Sequence, residues 1–160
     1  MKTYKLAAIP GDGIGTEVVA AGVTVLDALA ARDGGFQFAT DHFDWGGDYY
    51  LKHGRMMPEV GRDQIKNHDA ILFGSAGHPD IPDHITLWGL RLAICQPFDQ
   101  YANVRPTRVL PGITSPLRSV EDKELDWVTV RENSEGEYAG VGGRVQEHEL
   151  VEPYGRRAVA

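Results

Sequence analysis

Apolar side chains change their spacing from segment to segment along this chain, and the changes predict alternating strands and helices. Tyr4 to Ile9 is a short, mostly apolar run closed by Pro10 and Gly11, the pattern of a buried strand entering a loop. From Thr16 to Ala31, Val18, Val19, Gly22, Val25, Leu26 and Leu29 recur close to helical spacing, and Gly34 and Gly35 supply a stop. Phe36, Phe38 and Thr40 alternate with polar neighbours as in a half-buried strand, and Pro58 to Asn67 predicts a short polar helix. Ala70 to Phe73 reads as a second buried strand that runs into a glycine loop, Gly74 to Asp80. Thr86 is then placed to cap a helix from Leu87 to Gln96. Tyr101 to Leu110 and Trp127 to Arg131 predict two more strands, separated by a loop of Pro, Gly and Ser from Pro111 to Ser119. Two successive strand, loop and helix units imply an α/β sheet.

Composition narrows the class without naming a function. With 160 residues, 42% apolar and 24% charged, the chain reads as a globular protein of about one domain, able to bury roughly 70% of its unfolded surface. A formal charge of −7 repels a phosphate backbone and disfavours nucleic acid as a partner. The single cysteine, Cys95, excludes an internal disulfide framework. The N-terminal apolar run is too short for a signal peptide, and no stretch approaches the ~20 residues of a membrane helix, so a cytoplasmic protein without a membrane partner is expected.

Two glycine loops are candidates for a ligand. Gly11, Gly13 and Gly15 resemble a dinucleotide fingerprint, but Thr16 stands where G-x-G-x-x-G requires glycine, so a Rossmann fold is not indicated. What remains is a loop with few side chains, whose backbone amides either approach a nucleotide or simply make a turn with positive φ. The loop from Gly74 to Gly77 has the same two readings. In a parallel sheet both would leave the carboxyl ends of their strands, where ligands gather. Gly13, Ile14, Gly74, Ser75, Ala76 and Gly77 are therefore the candidate cofactor residues.

The segment VRENSEGEYAGVGG, from Val130 to Gly143, supplies the sharper chemistry. Arg131 offers a planar fork of donors suited to a carboxylate, and Tyr138 a phenol able to protonate a carbanion. Arg105 precedes Pro106 in a strand-like segment, which fixes its extended backbone. Each arginine alone is more often a solvated surface charge. The loop with His78, Asp80, Asp83 and His84 lacks a standard metal-ligand spacing, and Glu132, Glu135 and Glu137 are better read as solvated or structural. His42, His53, His68 and His148 show no nucleophile pairing, and Cys95 sits in an apolar helical setting without an identified base.

Three strings, IPGDGIGTE (Ile9 to Glu17), FDQYANVRP (Phe98 to Pro106) and RENSEGEY (Arg131 to Tyr138), occur in the order found in the β-decarboxylating dehydrogenases, the isopropylmalate and isocitrate dehydrogenase family. The resemblance runs from about Leu6 to Val145, and GRMMP (Gly54 to Pro58) and PDHITLWG (Pro82 to Gly89) particularly resemble the tartrate and D-malate dehydrogenase branch. It implies an isopropylmalate dehydrogenase-like sheet with flanking helices, incomplete here. Residues 1–100 would begin the large nucleotide-binding domain and 101–160 the small substrate and dimerisation domain. It also implies NAD-dependent oxidation, with decarboxylation, of a malate-like 2-hydroxy acid. Isopropylmalate is the second candidate substrate, and a non-catalytic partner subunit is a further alternative. Arg105 and Arg131 would grip the substrate's carboxylates and Tyr138 would protonate the enol left after decarboxylation, helped by a lysine of the other subunit of a homodimer. Mg²⁺ or Mn²⁺ would be held by aspartates of the family's second half, with no metal ligand in this chain. Isopropylmalate dehydrogenases carry a third substrate arginine where this chain has Cys95. Arg91, one helical turn earlier, either reaches toward that place or covers the stripe of Leu87, Leu90 and Ile94 with its stem. After Leu150 the string no longer follows the family, which predicts a truncated or frame-shifted product with little or no turnover.

Overall fold

The apolar run near the N-terminus becomes strand β1 (Lys2–Gly11), and its burial explains why it is so apolar: Leu6, Ala7, Ala8 and Ile9 are 5% exposed or less. The structure is a computed structural model and describes residues 1–117 and 125–142. His148, the divergence after Leu150 and the end of the Pro111 to Ser119 loop lie outside those residues. The chain forms two compact units, Met1–Ile94 and Cys95–Ala160.

In the first unit β1 is the centre of a three-stranded sheet, pairing in parallel with β2 (Phe36–His42) on one side and β3 (Ala70–Ser75) on the other. Leu6 lies opposite Thr40 and Ala70, so both neighbours run in the same direction and all three strands deliver their carboxyl ends to one side. A parallel strand covered on both faces has no solvent side, and a continuous apolar run is the sequence it needs. Alternation in β2 has its expected outcome: Phe36, Phe38 and Thr40 are half-buried between exposed neighbours, and Tyr4 joins Phe36 and Phe38 in an aromatic cluster.

The crossover from β1 to β2 is helix α1 (Gly15–Asp33). Gly34 ends it in the left-handed region, φ 76°, where glycine carries no Cβ penalty, and its N–H donates to the Ala30 carbonyl at 2.9 Å. The apolar positions expected to form one stripe fall on two. Val19 and Ala30 are buried with Gly22, Val23 and Leu26 beside them half-buried, whereas Val18, Val25 and Leu29 are exposed.

Three local expectations change. A seven-residue helix, α2 (Gly47–His53), follows β2 where no periodicity announced one. The polar helix expected over Pro58 to Asn67 shrinks to α3 (Gly61–Ile65). The helix expected from Leu87 starts a turn earlier as α4 (Asp83–Thr86), because extended Pro82 already supplies its first acceptor, to the Ile85 N–H at 2.8 Å. Thr86 therefore does not cap: it is buried, and its hydroxyl donates back to the Asp83 carbonyl at 3.1 Å. A widened, π-type turn (Leu87–Arg91) follows, then α5 (Leu92–Cys95).

The second unit contains an antiparallel ribbon of β4 (Ala102–Arg108) and β5 (Asp126–Glu132), followed by a short 3-10 turn (Gly136–Tyr138). No helix among the described residues is long and apolar enough to cross a membrane.

Candidate functional site

The ribbon register decides which side chains share a face. Arg105 lies opposite Thr129 and Asn103 opposite Arg131, so Asn103, Arg105 and Thr107 share one face with Trp127, Thr129 and Arg131. Both candidate arginines thus project from the same side, diagonal to one another across two strands. Arg105 is exposed and makes no ion pair among the described residues. The Arg131 side chain is about one-third exposed, with its Nη2 3.4 Å from the Glu137 carboxylate.

Tyr138 comes to Arg131 through the turn that follows β5. Nη2 of Arg131 donates to the phenolic oxygen, and the guanidinium carbon stands 5.2 Å from the ring centroid. The phenolic oxygen acts as acceptor toward Arg131 while the hydroxyl keeps its own hydrogen as a donor. Three acidic or amide side chains hold this turn. The Glu132 carboxylate accepts from the Ser134 N–H at 2.6 Å, the Ser134 hydroxyl at 2.7 Å and the Glu135 N–H at 2.9 Å. Those donors, the Ser134 hydroxyl first, lower the Glu132 pKa from 4.5 to about 2. Gln96 donates through Nε2 to the Tyr138 carbonyl at 2.7 Å, and Asn133, buried, donates to the Gln100 carbonyl at 3.2 Å. Glu132 belonged to a cluster read as solvated or structural, and holding the turn is structural work. Gln96 and Asn133 were not singled out at all; the signal available was their place beside and within the two quoted strings.

The first unit holds the glycine loops. Because β1 and β3 are parallel neighbours, both loops emerge on the same side, with Gly11 in register with Ser75. Gly15 and Gly74 serve close packing: a Cβ on either would lie 2.1 Å from the Pro10 carbonyl oxygen. Gly13 (φ +54°) and Gly77 (φ +153°) differ, since a Cβ on either would meet open space, and Ile14 is exposed. The space beside these two glycines is unobstructed, although the Gly77 N–H is already taken up by the Asp12 carboxylate. Ser75 is occupied in holding the loops together, its hydroxyl donating to the Asp12 carbonyl. Ala76 is half-buried between Ser75 and Gly77.

Asp12 is the residue that sequence reasoning missed here. It is 4% exposed, and its carboxylate accepts from the backbone N–H of Gly47, at the start of α2, and from that of Gly77 at 2.8 Å. One buried carboxylate thus fixes the β1 loop, the β3 loop and the entry of α2. A buried charge is tolerated only with such donors. Gly47 has to be glycine for its own reason: a Cβ would lie 2.7 Å from the His78 side chain.

Arg91 closes the π-type turn in the first unit and is half-buried, whereas Arg105, Arg131 and Tyr138 belong to the second. Cys95 is a half-buried free thiol. Among the described residues no three His, Cys, Asp or Glu side chains come together as a metal site.

Comparison with known proteins bears on this arrangement. Residues 5–157 match the isocitrate/isopropylmalate dehydrogenase family model. A probable tartrate dehydrogenase/decarboxylase of Agrobacterium vitis is 67% identical over 144 residues, covering 90% of this chain and 40% of the relative. The decarboxylating D-malate dehydrogenase of Escherichia coli (strain K12) is 49% identical over 156 residues, 94% of this chain and 43% of the relative. Among solved structures, isocitrate dehydrogenase from Methylococcus capsulatus superposes with a TM-score of 0.72 at 30% identity, covering 98% of this chain and 42% of that one. The chain therefore spans about 40% of the length of the curated relatives it matches. The parallel sheet, its loops and the arginine ribbon lie within the matched residues, and the chain belongs to the isocitrate/isopropylmalate dehydrogenase family.

Proposed function

We propose that this chain is part of an NAD-dependent, divalent-metal-dependent enzyme that oxidises and decarboxylates a malate-like 2-hydroxy acid such as tartrate or D-malate. The observation that carries the reading is the placement of Arg105 and Arg131 on one ribbon face with the Tyr138 hydroxyl held on Arg131. Two guanidinium groups on one face suit a diacid, each charged hydrogen bond contributing about 1.5 to 3 kcal/mol. Tyr138 donates its proton at Oη to the carbon that loses carbon dioxide, and Arg131 keeps the phenol oriented for that transfer. NAD, when bound, would supply the hydride-accepting chemistry of the oxidation. Gly13, Ile14 and Gly77 would lie along the nucleotide, with Gly74, Ser75 and Ala76 shaping the loop beneath it. Ligands for Mg²⁺ or Mn²⁺ would come from aspartates of the family's second half. Relatives named for tartrate and D-malate support that substrate class, and Cys95 in place of a third arginine argues against isopropylmalate.

Titration of the ¹⁵N-labelled chain with meso-tartrate and D-malate tests the reading. Amide shifts at Arg105, Arg131 and Tyr138 are expected, and shifts confined to other residues would sink it. The 160 residues alone are expected to give no NADH from D-malate, NAD and Mn²⁺.

A further inference from the structure

The face that carries the two arginines holds two other polar side chains in a fixed relation to them. Asn103 lies opposite Arg131 and Thr129 opposite Arg105, so the four form a square, with the arginines on one diagonal and an amide and a hydroxyl on the other. Directly opposed residues of an antiparallel pair stand about 4.5 to 5.5 Å apart at Cβ, and diagonal ones about 7 to 8 Å. Thr129 is exposed and Asn103 half-buried, and neither side chain makes a hydrogen bond among the described residues. Donor and acceptor capacity separates the two diagonals. A guanidinium only donates, which suits a carboxylate but offers nothing to the proton of an alcohol. The Thr129 hydroxyl and the Asn103 amide each donate and accept, as an alcohol does. A diacid held by its carboxylates along the arginine diagonal lays its carbon chain across the middle of the square, between Thr129 on one side and Asn103 on the other.

We infer that Thr129 and Asn103 each take one hydroxyl group of the bound diacid, which makes this face selective for a dihydroxy diacid whose hydroxyls point to opposite sides of an extended chain. Meso-tartrate has that form. With its carboxylates anti its hydroxyls are anti as well, whereas those of L-tartrate lie to one side. D-malate fills one corner of the square and succinate neither. The inference rests on the proposed diacid reading and adds to it which acid the face prefers and through which side chains.

Titration of the ¹⁵N-labelled chain with succinate, D-malate, L-tartrate and meso-tartrate, followed at the Arg105 and Arg131 amides, tests it. The dissociation constant is expected to fall about fivefold from succinate to D-malate and about fivefold again to meso-tartrate, one neutral hydrogen bond for each step. L-tartrate should stay within about twofold of D-malate, since it reaches one corner only. Thr129→Val keeps the side chain's shape and loses its hydroxyl. It should remove the second step yet leave D-malate within about twofold, because a single hydroxyl still has Asn103. Thr129→Ser should restore the preference, and Asn103→Ala should abolish it as Thr129→Val does. Equal affinity of the unaltered chain for D-malate and meso-tartrate overturns the inference, as does an undiminished preference for meso-tartrate in Thr129→Val. In either case shifts at Arg105 and Arg131 leave the diacid reading standing. Absence of those shifts with every acid removes that reading and the inference with it.

Discussion

Strands β1 and β5 are both rich in apolar residues, yet the first has four consecutive positions at 5% exposure or less while Val128 and Val130 of the second stand above 60%. The difference lies in what each strand is given to pack against. Strand β1 has parallel neighbours on both sides and helix α1 over it, all drawn from the first 75 residues. Strand β5 has one neighbour and, among the described residues, no covering layer for its valines. An apolar strand thus states a requirement for burial, and local sequence meets it in one unit and not in the other. The consequence for chemistry is that the glycine loops are held by interior contacts, whereas the arginines and Tyr138 rest on a ribbon held mainly by hydrogen bonds in a turn.

If that contrast is right, the largest losses of stability come from the loop side of the first unit. Gly74→Ala puts a Cβ 2.1 Å from the Pro10 carbonyl and 2.8 Å from the Gly15 Cα, both backbone atoms that can yield only by separating β1 from β3. A loss of about 3 kcal/mol or more is expected from urea denaturation, at the upper end of what one substitution does. Asp12→Ala comes next. It leaves the buried Gly47 amide and the exposed Gly77 amide without their carboxylate, and about 1 to 3 kcal/mol is expected, with Asp12→Asn recovering part through its remaining carbonyl oxygen. Equal effects from these changes and from Val130→Lys would erase the distinction between the two units.

Much of this arrangement could be read from the sequence, and the reasons for the rest are physical. Strand β1 was legible because double-sided burial demands a continuous apolar run, and β2 because half-burial demands alternation; β3, expected to be buried, is instead an edge strand with Ala70 exposed and Ile71 to Ser75 half-buried, because it has a neighbour on one side only. Helix α2 was not, since seven residues that begin on the second of two glycines carry too little periodicity and depend on the Asp12 carboxylate for their start. Early entry into α4 was hidden for a related reason: Pro82 fixes the start, while Thr86, the better capping residue by type, is already inside. In the site, residue types and family strings pointed to Arg105, Arg131 and Tyr138, and the antiparallel register adds that the two arginines share a face. Asp12 stayed unseen because an aspartate in a glycine loop reads as a turn residue until the amides of Gly47 and Gly77, 35 and 65 positions away, are brought to it.

On the ribbon the expected effects move from stability to binding. Arg131→Ala removes the partner of the Tyr138 hydroxyl and one carboxylate ligand together. Affinity for meso-tartrate should fall about tenfold or more by NMR titration, with stability altered by less than about 1 kcal/mol. Arg131→Lys keeps the charge but loses the planar fork and is expected to bind nearly as poorly. Tyr138→Phe should leave affinity within about threefold, because the phenol's proposed role lies in proton delivery. A large loss of stability from Arg131→Ala would mean that this arginine serves the fold.

The smallest and most local effect belongs to Glu132. Its carboxyl holds its proton less readily in the folded turn, at about 2, than the ordinary 4.5, because ionisation is favoured by the Ser134 hydroxyl and then the Glu135 and Ser134 amides. A lowered folded-state pKa means that the contribution to stability is complete above pH 4.5 and disappears as the pH falls through about 2. The Ser134 amide shift should therefore titrate with a midpoint near 2 and carry the Tyr138 amide with it, since both lie in the same turn. The β1 amides should not share that midpoint. Movement of Ser134 at pH 4.5 without Tyr138 would show that the carboxylate is only a solvated surface charge, and that something else holds the phenol on Arg131.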